Sequence, residues 1–183
     1  MNYSEIYNRW LNSTQIDEAT KTELQSIQGN EEEIKDRFFQ NLEFGTGGLR
    51  GVIGAGTNRI NRYTVRKATQ GYAEYIKNSG AEACQRGVVI AHDNRRFSRE
   101  FCLETAGVLA ANGIRAYIFN SLRTTPELSF TVRHLGAFGG IVITASAPKK
   151  HSRASNSSVI RSTNTNWRQI RPLCLDMKKA MVV

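Results

Sequence analysis

The sequence has little cysteine and little histidine, and this scarcity argues against a zinc site made of protein ligands. The three cysteines are widely spaced and form no CxxC pair, so they indicate small buried side chains rather than a zinc site or a redox disulfide. The three histidines also lie far apart along the chain. These residues are Cys84, Cys102, Cys174, His92, His134 and His151.

Long apolar runs are missing as well. The longest runs, such as Val88–Ala91 and Ile141–Ile143, have the length of strands, whereas a membrane span needs about 18 consecutive apolar residues. The N-terminus, MNYSEIYNRW, lacks the charged and then apolar layout of a secretory signal. We therefore expect a cytoplasmic protein with no membrane partner, whose 183 residues can bury one sizeable core.

Acidic residues are scarce in only one part of the chain. Residues 147–183 contain eight Lys or Arg and a single acid, Asp176, whereas residues 1–146 contain 17 basic and 15 acidic side chains. The net charge of +9 therefore belongs mainly to the tail. A basic chain raises nucleic acid as a partner, but the tail has one aromatic residue, Trp167, and no series of rings on which bases could stack.

The two ends of the chain differ in their periodicity. Residues 1–40 predict a helical extension, in which Asn30 is placed to cap a helix whose Ile34 and Phe38 repeat at a spacing of four. Residues 147–183 show no clear period and few large apolar side chains. We expect them to form an irregular, basic and disordered tail.

Between these ends, residues 41–146 alternate short β-branched runs with helical segments. Strands are expected at 87–93, 114–120 and 139–146, and Ser98 is expected to cap the helix between the first two. This alternation predicts an α/β fold, a three-layer α/β/α domain with a mostly parallel mixed sheet. The polar residues after the strands should then share one rim, where such sheets bind ligands. They are Asp93–Arg96, Asn120–Thr125 and Thr144–Ser146.

A glycine-rich loop, GTGGLRG at residues 45–51, is the first candidate for binding an anion. Its glycines allow backbone N–H groups to approach a ligand closely, and Arg50 can contact a phosphate through two hydrogen bonds. The loop follows a helix and lacks the GK[ST] ending, so it is a poor match to dinucleotide and P-loop motifs. A tight turn between a helix and a strand is the alternative interpretation.

Ser146 is the second candidate, because it ends the predicted strand GGIVITAS. A GxSxG elbow is absent and no nearby His and Asp pattern supports a hydrolase triad, and a lone serine at such a position is usually a turn residue. The loop HDNRRFS, residues 92–98, places Asp93 where it could orient Arg95. Taken alone, this loop is better explained by an ordinary ion pair and a helix cap.

Taken together and in order, these segments resemble the first domain of the phosphohexomutases, the family of phosphoglucomutase and phosphomannomutase. The similarity covers about residues 40–146 and is carried by FGTGGLRG, VVIAHDNRRFS and RTTPELSFTVRHLGAFGGIVITAS. The resemblance implies that Ser146 carries a phosphate. It also implies a binding role for Thr46, Gly47 and Arg50 toward phosphate or substrate.

The resemblance further implies the reaction and the cofactor. The phosphoserine would give its phosphoryl group to a hexose phosphate, and the bisphosphorylated sugar would return the other one, which interconverts the 1- and 6-phosphates. Catalysis of this kind depends on positioning and electrostatics more than on a strong base. Mg²⁺ would bind the Ser146 phosphate, and the family supplies the remaining metal ligands from a second domain, in a DGDGDR loop that this sequence does not contain.

The sequence departs from the family just after Ser146. The family reads TASHNP followed by NGxK, whereas this chain reads TASAPKKHSRASN, so Ala147 replaces a histidine and no NGxK follows. Lys149 and Lys150 do not match the family lysine by motif. The family motif, the periodicity and the charge balance are all lost at this one point. We therefore expect the N-terminal part of a mutase that is truncated or frameshifted after the serine loop, and we expect this fragment to be inactive by itself.

Two further hypotheses stay open. In the first, the domain is non-catalytic and its basic tail binds nucleic acid or another polyanion through phosphate contacts. In the second, the chain is a structural or regulatory fragment that pairs with an intact mutase. The sequence does not distinguish glucose from mannose phosphates, because it lacks the family's sugar-reading loop.

Overall fold

The computed structural model describes residues 2–45, 48–146 and 157–163. Seven helices and six strands occur within them, and they alternate through the central part of the chain. The helices are α1 Tyr3–Asn12, α2 Glu18–Gln25, α3 Glu31–Phe38, α4 Arg62–Asn78, α5 Ala81–Arg86, α6 Ser98–Ala111 and α7 Thr125–His134. The strands are β1 Phe44–Gly45, β2 Gly48–Val52, β3 Val88–His92, β4 Ala116–Ile118, β5 Gly139–Ser146 and β6 Ser157–Thr163.

All six strands join one mixed sheet in the order β1-β2-β6-β5-β3-β4. The pairs β4 with β3 and β3 with β5 are parallel, as the alternation of strands and helices predicts. The pairs β5 with β6, β6 with β2 and β2 with β1 are antiparallel. The sheet thus consists of a parallel half and an antiparallel half, which meet at β5.

Helices cover both faces of the sheet, which confirms the three-layer α/β/α class. Val88 and Ile90 of β3 belong to a core cluster with α4 and α6, whereas Val89 and Ala91 pack on the opposite face against α7. Burial of both faces explains the β-branched, continuously apolar character of this strand. Sequence periodicity assigned no element to residues 53–86, where the structure has α4 and α5.

Strand β6 lies in a segment for which the sequence predicts no regular structure. Ser157–Thr163 runs antiparallel between β2 and β5 and pairs with both. The sequence signal is weak because only Val159 and Ile160 are apolar in a run of serine and threonine. The expectation of an irregular tail therefore does not hold for these seven residues, since tertiary pairing outweighs their weak local preference.

The predicted helical extension is present and packs as a layer of its own. Asn30 caps α3 by accepting a hydrogen bond from the Glu33 N–H at 3.1 Å, as the sequence predicts. The α1–α3 helices bury an aromatic cluster in which the Phe38 ring meets Tyr7 and Trp10 edge-on, with centroids 5.8 and 5.6 Å apart. Among the described helices, none combines the length and the apolar character that crossing a membrane requires.

Candidate functional site

The carboxyl ends of β3 and β5 lie side by side and form the rim that the sequence predicts. His92 is the Cα partner of Ile143, and the next residue, Asp93, donates its backbone N–H to the Ile143 carbonyl at 3.2 Å. The loop after β4 joins them, because the Arg123 N–H bonds to the His92 carbonyl at 3.3 Å. The three predicted loops therefore meet at one end of the sheet.

The Asp93 carboxylate is the centre of the polar contacts at this rim. Its Oδ2 accepts a hydrogen bond from the Thr144 hydroxyl at 2.5 Å, and its Oδ1 accepts one from the Ser98 hydroxyl at 2.7 Å. The predicted relationship to Arg95 is also present, through the backbone N–H at 3.1 Å and an ion pair of 3.5 Å with Nε. Neither contact was evident from the sequence. Thr144 is 51 positions from Asp93, and Ser98, five positions away, matched a helix cap instead.

Helix α6 begins differently from the sequence prediction. Ser98 was expected to be the N-cap, but the N-cap is Phe97, and Ser98 is the first, fully buried residue of the helix. Phe97 has φ +65° and ψ 0°, a left-handed conformation that is rare for a bulky side chain. The Ser98 hydroxyl bonds to the Asp93 carboxylate, five residues earlier in the same loop, instead of capping the helix.

Ser146 is the last residue of β5, as predicted, and the register relates it to Arg50. Thr144 and Arg50 are both Cα partners of Val159 in β6, so Arg50 lies level with Thr144 and two strands away from it. Two strand spacings amount to about 10 Å. Two residue pairs further along, Ser146 and Val52 are both partners of Ser157. Arg50 is exposed, which leaves its guanidinium accessible to a ligand at this end of the sheet.

Thr46 and Gly47 lie outside the described residues, and so do Ala147, Lys149 and Lys150. The residues that flank Thr46 and Gly47 are described: Gly45 and Gly48 are Cα partners in the antiparallel β1–β2 pair. Gly48 has φ +115°, a conformation that favours glycine. The predicted binding roles of Thr46 and Gly47 remain predictions.

His92 is a rim residue that the sequence interpretation treated only as an isolated histidine. It is 3% exposed, and its Nδ1 lies 3.1 Å from the Asp93 carbonyl oxygen. Its Nε2 is buried and has no hydrogen-bond partner among the described residues. A buried ring nitrogen without a hydrogen-bond partner is unusual in native proteins.

Positive charge surrounds the rim. The Arg96 guanidinium lies over the Phe97 ring, 4.8 Å from its centroid, and the Arg123 guanidinium lies 5.6 Å from the centroid of Phe119. Ring contacts of this type can hold an arginine in place beside an anion site. The Arg123 guanidinium already donates to the Ser121 hydroxyl and the Leu122 carbonyl and forms an ion pair with Glu127. Arg96 and Arg50 supply guanidinium groups of the kind that phosphate recognition uses.

The described residues do not fit a magnesium site by themselves. No group of three or more His, Cys, Asp and Glu side chains with suitable geometry occurs among them. The one carboxylate placed at the end of β3, Asp93, already bonds Thr144, Ser98 and Arg95. The magnesium ion that the resemblance implies therefore has no ligand set in the part of the chain that the structure describes.

Comparison with known proteins agrees with this arrangement. The family model for the phosphoglucomutase/phosphomannomutase alpha/beta/alpha domain I matches residues 41–153. The chain belongs to this family. A phosphoglucomutase of Staphylococcus saprophyticus is 43% identical over 142 residues, which cover 78% of this chain and 25% of that protein.

Two further relatives extend the comparison. A human phosphopentomutase is 37% identical over 144 residues, covering 75% of this chain and 23% of its own length. A solved structure from Thermus thermophilus, assigned to the phosphomannomutases, superposes with a TM-score of 0.61 at 26% identity, covering 74% of this chain and 30% of that one. This chain spans about a quarter of the length of the curated relatives it matches.

Proposed function

We propose that this chain supplies the phosphoserine-bearing domain of a sugar phosphomutase that interconverts hexose 1-phosphate and hexose 6-phosphate. The observation that carries the proposal is the placement of Ser146 at the end of β5, with Arg50 two strands away and level with Thr144 through the shared pairing to β6. Family membership supports mutase chemistry at this position. An anionic phosphoserine would suit a rim lined with arginines.

The proposed transfer forms one bond for each bond that it breaks. The bond between phosphorus and the Ser146 oxygen breaks while a sugar hydroxyl oxygen bonds to phosphorus, and the hydroxyl proton passes in net terms to the serine oxygen. A bisphosphorylated hexose results, and the reverse transfer of its other phosphoryl group restores the phosphoserine. Arg50 is proposed to stabilise the charge on the phosphoryl oxygens.

A graft tests this proposal. Residues 41–146 of this chain would replace the corresponding segment of the Staphylococcus saprophyticus relative, because that protein is similar across this region. We expect the graft to convert glucose 1-phosphate and the Ser146→Ala graft to have no activity. Arg50→Lys keeps the charge but loses the bidentate contact, so we expect a loss of about 10²-fold in kcat. A Ser146→Ala graft with normal activity would exclude the proposed nucleophile.

The substrate is tested in the same protein. The relatives carry the names of both hexose and pentose mutases, so mannose 1-phosphate and ribose 1-phosphate serve as the comparison substrates.

Residues 1–183 assayed without other domains are expected to show no conversion, because the described residues offer no metal ligand set. Turnover by this polypeptide above the level of its Ser146→Ala variant would contradict that expectation.

A further inference from the structure

Asp93 connects β5 to α6 through both oxygens of its carboxylate. Oδ2 accepts a hydrogen bond from the Thr144 hydroxyl at 2.5 Å. Oδ1 accepts one from the Ser98 hydroxyl at 2.7 Å and one from the Arg95 backbone N–H at 3.1 Å. Because donors on different elements engage both oxygens, the plane of the carboxylate is fixed. Ser98 is fully buried, so its side of this connection is anchored in the core.

This connection acts where the parallel ladder ends. The last residue pair between β3 and β5 is His92 with Ile143, and the Asp93 N–H adds one bond to the Ile143 carbonyl at 3.2 Å. Beyond that point, the Asp93 side chain contacts Thr144 from the β3 side, while β6 pairs with β5 as far as Ser146 on the other side. Thr144 lies two residues before Ser146, so Asp93 continues the support of β5 almost to the serine.

The loop that carries Asp93 has a costly backbone conformation. Phe97, with φ +65°, is the one residue other than glycine with a positive φ in the described part of the chain. Such conformations persist where surrounding contacts over-determine them, and they cluster at functional sites. Here the contacts are the Ser98 bond to Asp93 and the packing of Phe97 against Phe101, with ring centroids 5.9 Å apart.

We propose that Asp93 and Thr144 form a latch that positions Ser146 for phosphoryl transfer, with Asp93 as a positioning residue rather than a catalytic one. This inference rests on the proposed function. Phosphoryl transfer depends on alignment, and a misplacement of about 1 Å can cost about 10²-fold in rate. Holding the end of β5 through a side chain on the β3 side, after the main-chain ladder to β3 has ended, would keep the serine backbone aligned.

The test compares backbone order at the end of β5 in the full chain. Thr144→Val removes the hydroxyl with little change in shape, and Thr144→Ser is the matched control that keeps it. By NMR relaxation, we expect order parameters near about 0.85 at Ala145 and Ser146 in the wild-type protein and in Thr144→Ser. In Thr144→Val we expect lower values at both residues, because β6 then holds this end of β5 from one side only. Asp93→Asn replaces one of the two accepting oxygens on the other side of the contact. It should lower the order parameters at Ala145 and Ser146 in the same way.

Order at Val89–Ala91 distinguishes the latch from a general loss of stability. The latch predicts no change there, so a decrease across β3 as well as β5 would overturn it. Unchanged order at Ala145 and Ser146 in both Thr144→Val and Asp93→Asn would also overturn it, and so would values below about 0.6 in the wild-type protein.

The same substitutions in the graft test the link to catalysis. We expect Thr144→Val to lower kcat by about 10²-fold with KM within about threefold, and Thr144→Ser to restore most of the rate. Loss of order without a fall in kcat would show that the latch does not serve phosphoryl transfer. An inactive graft with wild-type Thr144 would reject the proposed function, while the order parameters would still decide whether the latch exists.

Discussion

The Tyr63 hydroxyl bonds twice to Asp17: it donates to the carboxylate Oδ2 at 2.6 Å and accepts the Asp17 backbone N–H at 2.7 Å. Asp17 also caps α2 by accepting the Thr20 N–H at 3.0 Å. Since Tyr63 is in the first turn of α4, this pair joins the helical extension to the body of the domain. The extension is therefore part of the folded unit, although the family model begins at residue 41.

Asp17 makes stability depend on pH in the acidic range. Burial tends to raise the pKa of its carboxyl, but hydrogen bonds from Tyr63 and Thr20 and the nearby Arg62 charge outweigh burial, and the pKa falls from 3.8 to about 2. A pKa that is lower in the folded state stabilises the protein above the unfolded value. We expect this contribution to be complete above about pH 5 and to disappear as the pH falls from about 4 to 2.

Asp17→Asn provides the control, because asparagine also caps helices but carries no charge. Thermal unfolding from about pH 2 to about pH 7 should show that wild type is more stable than Asp17→Asn above about pH 5 and that the two curves converge near pH 2. A constant difference across this range would mean that the carboxylate charge makes no contribution. The effect is expected to be modest because the Asp17 side chain is 34% exposed.

Two neighbouring phenylalanines test whether the extension contributes to global stability. Phe38 is fully buried between Tyr7 and Trp10, whereas the next residue, Phe39, is 52% exposed. Phe38→Ala should lower the free energy of unfolding by about 3–5 kcal/mol, and Phe39→Ala by less than about 1 kcal/mol. Urea unfolding measures both. Similar losses in the two variants would be inconsistent with the aromatic cluster described for α1–α3.

Two glycines should respond to alanine in opposite directions. Gly87 has φ +68°, and a Cβ added there would lie 2.3 Å from the Arg115 carbonyl oxygen, so Gly87→Ala should destabilise the protein by on the order of 2–4 kcal/mol. Gly107 lies in α6, and apart from its chain neighbours and the nearby backbone of that helix, no heavy atom would lie within 4 Å of its added Cβ. Gly107→Ala should stabilise by about 0.5–1 kcal/mol. Equal effects of the two substitutions in urea unfolding would refute this assignment.

Cys102 should be unreactive in the folded protein. It is fully buried, and burial raises the pKa of its thiol to about 11 despite the opposing charge of Arg99. In a variant with Cys84→Ser and Cys174→Ser, a thiol reagent at about pH 8 should label Cys102 only after denaturant is added. Labelling of the native protein at the rate of a free cysteine would show that α6 opens more readily than its packing indicates.

The sequence predicts the parallel half of the sheet better than the antiparallel half. Continuous apolar runs indicate β3 and β5, because strands covered on both faces need no polar alternation. Strand β6 has no such signal, and its position depends on pairing with both β2 and β5. Local patterns therefore indicate the buried core, whereas the pairing of β6 is decided by residues that are distant in the chain.

The candidate site shows the same division. Ser146 and the rim of three loops could be inferred from strand ends, since parallel strands end at one edge. The connection of Asp93 to Thr144 could not, because nothing in the local sequence relates residues 51 positions apart. The prediction of Ser98 as the helix cap was wrong because its hydroxyl donates to the Asp93 carboxylate in the same loop, an alternative that the residue type alone does not distinguish from capping.

The insertion of β6 between β2 and β5 also has a consequence for folding kinetics. Arg50 pairs with Val159, so about 110 residues separate the two partners, and closing so large a loop slows folding. During synthesis, the β1–β2 hairpin leaves the ribosome long before the strand that attaches it to the sheet. Until β6 arrives, an unpaired edge of β2 is open to association with another chain. Rapid pairing of β6 with β2, or binding of a chaperone to the β2 edge, would therefore limit aggregation of the nascent protein.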